Sequence, residues 1–503
     1  MRREVELPTG FRRWAIVFAA VLGATVFDIT WLIVGVALPH MQGTFSSTPD
    51  QIAWVMTAFI VGGMMMNAVT GWASTRFGRK QVFVLAIAGN AVTTLMCGFA
   101  DSLATEVIWR FAQGVTTVPL LALGQAITLD VFPAERRGFA IGIFGACTVG
   151  AAVFAPLLGG YLVEHYTWRW VFYVNVPVAV VATVCAVAFI PRGESDSSRS
   201  FEWVGFSALM VLVASLNLCL SRGQRLDWLD SAEIRIEFTI AALALVVVIV
   251  RTLFIQNSFL ERRLFADRNY LVSMNVMLLF GALVSLPLIL LPLMLQQVFG
   301  YPAMSAGALM VARGVGLTFT MLIVGLLRGI DPRLVLAFGF VCAAIANLYM
   351  ATWSIDIDPW SVVWTNLLLG VSAGATFVPM VTIALATVQR SLHTEALTFL
   401  FLVTNTGKAL GVAGIFVLHT RLQQINHAVL SENVSLTNER LRQLAIPESW
   451  DLASPGGLAS LSIEVDRQAE LIAYLNDFLV IGIICLCILP LIAFLKRPPA
   501  ADK

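Results

Sequence analysis

The sequence predicts an all-α polytopic membrane protein. Of its 503 residues, 58% are of hydrophobic type and only 13% are charged, whereas about 25% of the residues of soluble domains are charged. Apolar runs that are long enough to cross a bilayer, which takes about 20 helical residues, recur along the whole chain. The net charge of +1 gives no indication that the protein binds nucleic acid.

Fourteen candidate spans follow from these runs and from the residues that interrupt them. In chain order they cover residues 14–38, 52–73, 82–100, 106–130, 138–163, 170–190, 203–221, 235–255, 270–298, 304–328, 333–353, 360–386, 396–419 and 472–495. Lys and Arg are concentrated in the connecting segments that share a side with the N-terminus. Both termini are therefore predicted to be cytoplasmic.

Four charged side chains are predicted to be intramembrane: Asp28, Arg110, Arg313 and Lys408. A charge near the bilayer centre costs about 3 kcal/mol or more, so such residues usually face a cavity and have a function. Asp28 is predicted to be the only acid in the central part of a span, because the other acids fall near span ends.

The turn Gly71–Lys80, "GWASTRFGRK", is predicted on the inner side between the second and third spans. Its candidate conformational residues are two glycines and three cations: Gly71, Gly78, Arg76, Arg79 and Lys80. An ordinary inside-positive loop would explain them. The spacing also resembles the signature loop of the major facilitator superfamily, in which an Asp stands where this chain has Thr75. The resemblance implies a weaker latch between the halves of the molecule.

Two further stretches resemble motifs of the same superfamily. In "EVIWRFAQGV" Arg110 precedes Gln113 and Gly114 as in the second motif, which implies that Arg110 faces the cavity and tunes a nearby acid. A snorkelling Arg is the alternative. In "GAAVFAPLLGGYL" the spacing of Pro156, Gly159 and Gly160 resembles the antiporter motif, although ordinary close packing of small residues gives a similar pattern.

The string "YTWRWVFYVNVPVA" that follows is characteristic of the fourteen-helix drug:proton antiporters of the EmrB/QacA type. The resemblance implies a major facilitator fold with two six-helix bundles and two additional central helices. Its parts are a cytoplasmic N-terminal tail, the N-terminal bundle, the additional helices with their connectors, the C-terminal bundle and a cytoplasmic C-terminal tail, over residues 1–13, 14–190, 191–269, 270–495 and 496–503.

The resemblance implies a secondary active transporter that exports amphipathic small molecules by alternating access, driven by a proton gradient. The alternatives are an exporter of one endogenous metabolite and an uncoupled facilitator or importer of the same fold. A membrane enzyme is disfavoured, because no catalytic set, P-loop or metal-binding motif is found in the sequence. No catalytic residue, metal or cofactor is expected.

The predicted substrate cavity combines the four intramembrane charges with three other side chains: Asn67, Gln113 and Phe377. One acid against three bases favours a neutral or anionic amphiphile as substrate. The other expected partners are protons, the lipid bilayer of the inner membrane and, through the polar outer segment 420–471, a periplasmic adaptor with an outer-membrane channel. That segment is alternatively a solvated cap.

Proton coupling is assigned to Asp28 with Arg110. Burial favours the neutral form of a carboxyl group and a nearby cation favours the charged form, so the balance can change as the cavity opens to each side. The alternative is a permanent ion pair of Asp28 with Lys408 or Arg110. The acid of the family usually lies nine residues before a proline, whereas Asp28 lies eleven before Pro39.

Overall fold

The computed structural model describes most of the chain as helices. It covers residues 10–133, 136–192, 202–223, 226, 228–255, 262–327, 330–389, 392–432, 434, 454–492 and 494–495. Within these ranges there is no strand, and the α-helices are α1 Gly10–Thr44, α2 Pro49–Phe77, α3 Arg79–Gly98, α4 Leu103–Thr117, α5 Pro119–Asp130, α6 Arg137–His165, α7 Trp170–Tyr173, α8 Asn175–Phe189, α9 Trp203–Arg222, α10 Ala232–Phe254, α11 Arg262–Ala266, α12 Arg268–Gln297, α13 Ala303–Leu326, α14 Pro332–Met350, α15 Pro359–Ala386, α16 His393–Glu432 and α17 Pro455–Ile492.

The polytopic membrane class is confirmed. In the described ranges, 12 helices or continuous helix pairs are long and apolar enough to cross a membrane. The number becomes 13 when α2 is included, whose two parts, Trp54–Asn67 and Val69–Phe77, meet at 48°. The remaining predicted span falls on α6, of which Arg137–Ala151 forms a shorter apolar helix. The count of fourteen stays a prediction.

The fourth span starts earlier than the sequence predicts, and it contains a break. Ser102 caps α4 by accepting a hydrogen bond from the backbone N–H of Thr105 at 3.2 Å. The helix therefore begins one turn outside the predicted start. At its other end Pro119 lacks a backbone N–H, so the hydrogen-bond ladder is interrupted and α5 begins there.

We refer to helices α1–α8 as the N-terminal half of the molecule and to α12–α17 as the C-terminal half, following the predicted division of the chain. The two helices between the halves, α9 and α10, pack chiefly on each other, and α9 also contacts α2 and α16. Since α2 and α16 belong to different halves and touch each other, α9 lies alongside a contact between the halves.

The two halves are in close contact at the end of the bundle where α1 begins and α17 ends, which is called the inner end because the sequence predicts cytoplasmic termini. Gly71 of α2 packs against Glu395 of α16. Gly142 of α6 packs against the backbone of Met321 on α13. A Cβ atom at Gly142 would clash with the carbonyl oxygen of Met321, so the close approach requires glycine.

The outer parts of the same helices are open. At Gly150 and Gly160 of α6, and at Gly307 of α13, a methyl group in place of the hydrogen would have no neighbouring atom within 4 Å. Tyr161 and Met304 are 54% and 83% exposed. In the described part of the chain, the close contacts between the halves thus lie toward the inner end, whereas α6 and α13 have open space beside their outer parts.

Two helices are much longer than a bilayer requires. Helix α16 has 40 residues and α17 has 38, which at 1.5 Å per residue makes each of them roughly 60 Å long. Their ends, residues 420–432 and 455–471, form what we call the outer hairpin. Nε2 of His427 and a carboxylate oxygen of Asp466 lie 3.2 Å apart across this hairpin. The predicted polar outer segment is thus largely helical where it is described, and residues 433 and 435–453 lie outside the described residues.

Candidate functional site

Asp28 and Lys408 face each other from opposite halves of the molecule. They interact electrostatically, yet no nitrogen–oxygen contact within 4.0 Å joins these two described side chains. Asp28 is partly buried, and its Oδ2 atom has no hydrogen-bond partner among the described residues. The predicted alternative of an ion pair between Asp28 and either Lys408 or Arg110 is not formed in this conformation.

The backbone next to Asp28 is fixed by the motif that follows α6. Asn175 of that motif donates a hydrogen bond from Nδ2 to Oγ1 of Thr30 at 2.5 Å. Thr30 in turn donates from Oγ1 to the carbonyl oxygen of Val26 at 2.7 Å. Thr30 and Val26 bracket Asp28, so α8 holds the acid-bearing turn of α1 in place.

Lys408 is exposed although it lies near the middle of α16. Its neighbours Gly407 and Gly411 pack directly against Leu278 and Ala282 of α12. This contact fixes one face of α16, so Lys408 is directed away from α12 and toward the opposite half.

Arg110 is fully buried and lies behind the ring of Phe59. Its Nε atom donates to the carbonyl oxygen of Val55 at 3.3 Å, and its Nη1 atom donates to Oε1 of Gln113 at 2.5 Å. The guanidinium carbon lies 4.5 Å from the ring centroid of Phe59. These partners are all neutral, so no carboxylate among the described residues forms an ion pair with Arg110.

Gln113 extends this buried network to α3. Its Nε2 atom donates to Oγ1 of Thr94 at 2.7 Å, and Asn90 donates to Oγ1 of Thr117. The structure therefore brings Arg110 and Gln113 together, as their spacing predicts, but both are buried between helices in this conformation.

Arg313 of α13 lies between α12 and α15 in the C-terminal half. Its Nη2 atom donates to the carbonyl oxygen of Val284 at 2.5 Å. Its Nη1 atom is buried and has no hydrogen-bond partner in the described part of the chain. An unused guanidinium donor of this kind is costly unless a ligand or water accepts from it in some state.

The two other predicted cavity residues occupy different settings. Asn67 is buried in the contact between the halves, where its Nδ2 atom donates to the carbonyl oxygen of Thr398 at 3.4 Å. Phe377 is partly buried, and its ring lies nearly parallel to that of Phe401 at a centroid distance of 6.2 Å. In this conformation Asn67 thus belongs to the closed inner end.

The inner turn is held by its own cations. Arg79 forms an ion pair with Asp130 at the end of α5, and Lys80 donates from Nζ to the carbonyl oxygen of Val187 at 2.7 Å. Gly78 has a φ of +90°, which residues with a Cβ atom rarely adopt. Arg76 lies in the last turn of α2.

The two glycines of the antiporter motif have different surroundings. Gly159 packs against Ile33 of α1, whereas Gly160 has open space beside it. Pro156 lies within α6, but its side chain is outside the described residues.

Two acids that the sequence pattern does not single out are fully buried: Glu106 in the first turn of α4 and Asp477 in α17. Asp477 is paired with His419 of α16, with 2.6 Å between Oδ2 and Nδ1. The predicted span boundary at residue 106 places Glu106 at the membrane surface. A helix start at the cap residue Ser102 would have placed it inside.

Among the described residues, no group of three or more His, Cys, Asp or Glu side chains is arranged to hold a metal ion.

Residues 20–413 match the profile of the Major Facilitator Superfamily. The chain belongs to this superfamily. Within it, the Multidrug export protein EmrB of Haemophilus influenzae is 30% identical over 425 residues, which cover 82% of this chain and 81% of that protein. EmrB of Escherichia coli K12 is 28% identical over 482 residues, which cover 94% of this chain and 93% of that protein. The predicted relation to EmrB-type exporters is confirmed.

Other superfamily relatives differ in their named substrates. The Fatty acid resistance protein FarB of Neisseria gonorrhoeae is 28% identical over 489 residues, 95% of each chain. Among solved structures, a double tryptophan mutant of XylE matches with a TM-score of 0.62 at 13% identity and covers 96% of each chain. The human organic anion transporter MFSD10 matches with a TM-score of 0.58 at 15% identity over 94% of this chain and 99% of that one. These structures support the fold alone. The protein is a multi-pass membrane transporter.

Proposed function

We propose that the protein is a proton-coupled exporter of amphipathic small molecules that works by alternating access in the inner membrane. The observation that carries the proposal is the position of Asp28. This acid faces the cationic Lys408 of the other half across the cavity without a direct ion pair. A carboxyl group in that position can bind a proton when the cavity is open to the outside and release it when the surroundings change.

The arrangement of the halves supports alternating access. Contacts between them lie at the inner end, and the outer parts of α6 and α13 are open. The glycines that have open space in this conformation, Gly150 and Gly160, would allow close contact if the outer ends approached each other. The superfamily resemblance and the EmrB-type relatives are consistent with export rather than uptake.

The proposed substrate is a neutral or anionic amphiphile. Lys408 is the exposed charge in the cavity, and Arg313 has a buried donor without a described partner. Both would attract a carboxylate, sulfonate or phosphate group, whereas among the described residues the acid that interacts with Lys408 is Asp28. The name of the relative FarB, a fatty acid resistance protein, is consistent with an amphipathic anion.

Transport into proteoliposomes tests this proposal. The probe is radiolabelled taurocholate, an amphiphile whose sulfonate stays ionised over the whole pH range used, and tetraphenylphosphonium serves as the lipophilic cation. We expect taurocholate to accumulate in vesicles with an acidic lumen and to return to equilibrium when nigericin collapses the pH gradient. Transport that only equilibrates the probe would indicate an uncoupled facilitator. Preference for tetraphenylphosphonium would contradict the proposed substrate class.

The outer hairpin is the proposed contact site for a periplasmic adaptor and its outer-membrane channel. Its exposed apolar side chains are Ile425, Val429, Leu458 and Ile463. Such side chains on a helical pair outside the bilayer are suited to bind another protein. Replacing these four residues by Ser should abolish co-purification of the adaptor and export across both membranes, but leave taurocholate transport in proteoliposomes unchanged. Retained co-purification would contradict the assignment.

A further inference from the structure

Glu106 is an unexpected side chain in the N-terminal half. It lies in the first turn of α4 and is 0% exposed. Neither of its carboxyl oxygens has a hydrogen-bond partner among the residues that the structure describes. Acids in the first turn of a helix usually interact with the helix dipole at an exposed surface, so that common role does not explain a fully buried position.

The groups around Glu106 leave it without a direct counter-charge. Those that interact with it electrostatically are Arg110 on its own helix, Cys97 on α3 and Arg169 in the segment before α7. Arg110 is four residues away on the same face, but its guanidinium is directed to Val55 and Gln113 instead.

Arg169 lies on the outer side of this acid. Its Nη2 atom donates to the carbonyl oxygen of Ala100 at 3.1 Å and lies 4.0 Å from a carboxylate oxygen of the exposed Asp101. Its side chain is 31% exposed. Glu106 therefore interacts with a partly exposed side chain at the outer end of α4, which is the side from which protons would enter.

A buried carboxylate without hydrogen bonds costs several kcal/mol, and the protonated acid avoids most of this cost. Arg110 is free to change its partners, because Val55 and Gln113 are neutral and the Glu106 carboxylate is within one helical turn. Two arrangements follow. Glu106 is protonated while Arg110 binds Gln113, or it is ionised while Arg110 binds Glu106.

We propose that Glu106 is a second proton-binding residue, loaded from the outer side and discharged when Arg110 moves from Gln113 to the carboxylate. In the discharge step the O–H bond of Glu106 breaks, water accepts the proton, and the carboxylate charge is balanced by Arg110. The role in transport rests on the proposed proton-coupled function. Because Asp28 and Glu106 each bind one proton, the outward-open form binds two protons.

Infrared spectroscopy of the purified protein tests proton binding without any substrate. The wild type at neutral pH should show the carbonyl stretch of protonated carboxylic acids, and the part of this band that Glu106 contributes should be missing in Glu106→Gln. The matched control is Glu164→Gln, because Glu164 is an exposed acid at the end of α6, and its spectrum should retain the band. If Glu106→Gln retains the whole band, Glu106 is ionised and the proposal is wrong.

The pH dependence of taurocholate transport tests the role in coupling. For Glu106→Gln we expect the steepness of the pH profile to fall by about one proton, as linkage requires for the loss of one titrating group, and Glu106→Asp should restore it. A profile identical to that of the wild type would overturn the coupling role. If the wild type itself shows no proton-driven transport, the proposed function fails, while the infrared band still decides whether Glu106 binds a proton.

Discussion

At the scale of single residues, the proposed transport depends on charges that face the cavity without saturating each other. Lys408 is exposed, Asp28 is only partly buried, and the two are not joined by an ion pair within 4.0 Å. Charges that are already paired would bind a proton or a substrate only weakly. The open pair leaves both available.

Replacing Lys408 by Gln tests the substrate class. A hydrogen bond to a charged group contributes about 1.5–3 kcal/mol, so Lys408→Gln should weaken taurocholate binding at least about tenfold. The measurement is equilibrium binding of the labelled probe to the purified protein. The control is Arg235→Gln, since Arg235 is an exposed cation on α10. Unchanged affinity in Lys408→Gln would show that this residue does not hold the anion.

The sequence indicated Asp28 and Lys408 because charges in the middle of apolar runs are easily recognised. It did not indicate Glu106. Whether that acid is buried depends on a helix start four residues earlier, at the cap Ser102, and on coverage by Arg169, which lies 63 positions further along the chain. Burial by a distant segment leaves no periodic signal in one sequence.

At the scale of helices, the close approaches depend on glycine. Gly114 of α4 is an example, because an added methyl group there would lie 2.8 Å from the backbone nitrogen of Gly63 on α2 and still closer to the carbonyl oxygen of Phe59. The Arg110 network lies at this α2–α4 contact, so the spacing of the two helices also positions that network.

Gly114→Ala should therefore destabilise the protein by about 1–3 kcal/mol, because an overpacked contact forces backbone shifts. The measurement is the thermal midpoint of the purified protein, followed by tryptophan fluorescence. Gly150→Ala is the matched control, since open space surrounds that position and the higher helix propensity of Ala should leave stability unchanged or raise it slightly. Equal midpoints for both variants would show that the α2–α4 contact is looser than described.

The pair of His419 and Asp477 fastens α16 to α17 near the outer hairpin. Removing one partner of a buried pair leaves the other uncompensated, at a cost of about 3–5 kcal/mol, whereas replacing both by apolar residues is often neutral. His419→Leu should thus lower the thermal midpoint, and the double variant with Asp477→Leu should restore most of it. If the loss of stability in the double variant equals the sum of the losses in His419→Leu and Asp477→Leu, the pair contributes no coupling energy.

At the scale of the whole molecule, the fold class was predictable from composition and motif spacing, and the family comparison confirms it. The motif that identified the branch has a structural role that the string itself did not reveal. Trp168 donates from Nε1 to Oγ1 of Thr44, and Tyr173 donates from its hydroxyl to the carbonyl oxygen of Gly98. The conformational state could not be predicted, because both states of such a transporter use the same helices.

Alternating access predicts opposite changes at the two ends of the molecule. Spin labels at Tyr161 and Met304, exposed on the outer parts of α6 and α13, should be far apart in this conformation and approach each other when the outer side closes. A second pair at the inner end, on Phe139 and Leu326, should separate in the same transition. Pulsed electron paramagnetic resonance measures both distances between the labels. A change at one end without the other would contradict alternating access.

The central claim is that Asp28 couples proton entry to export, and the most direct test is gradient-driven accumulation of taurocholate by Asp28→Asn in proteoliposomes. If Asp28 carries the proton, this variant shows no accumulation above equilibrium under a pH gradient, while protein abundance and equilibrium binding of the probe stay close to those of the wild type. Accumulation at the wild-type level by Asp28→Asn under the same gradient would contradict the claim.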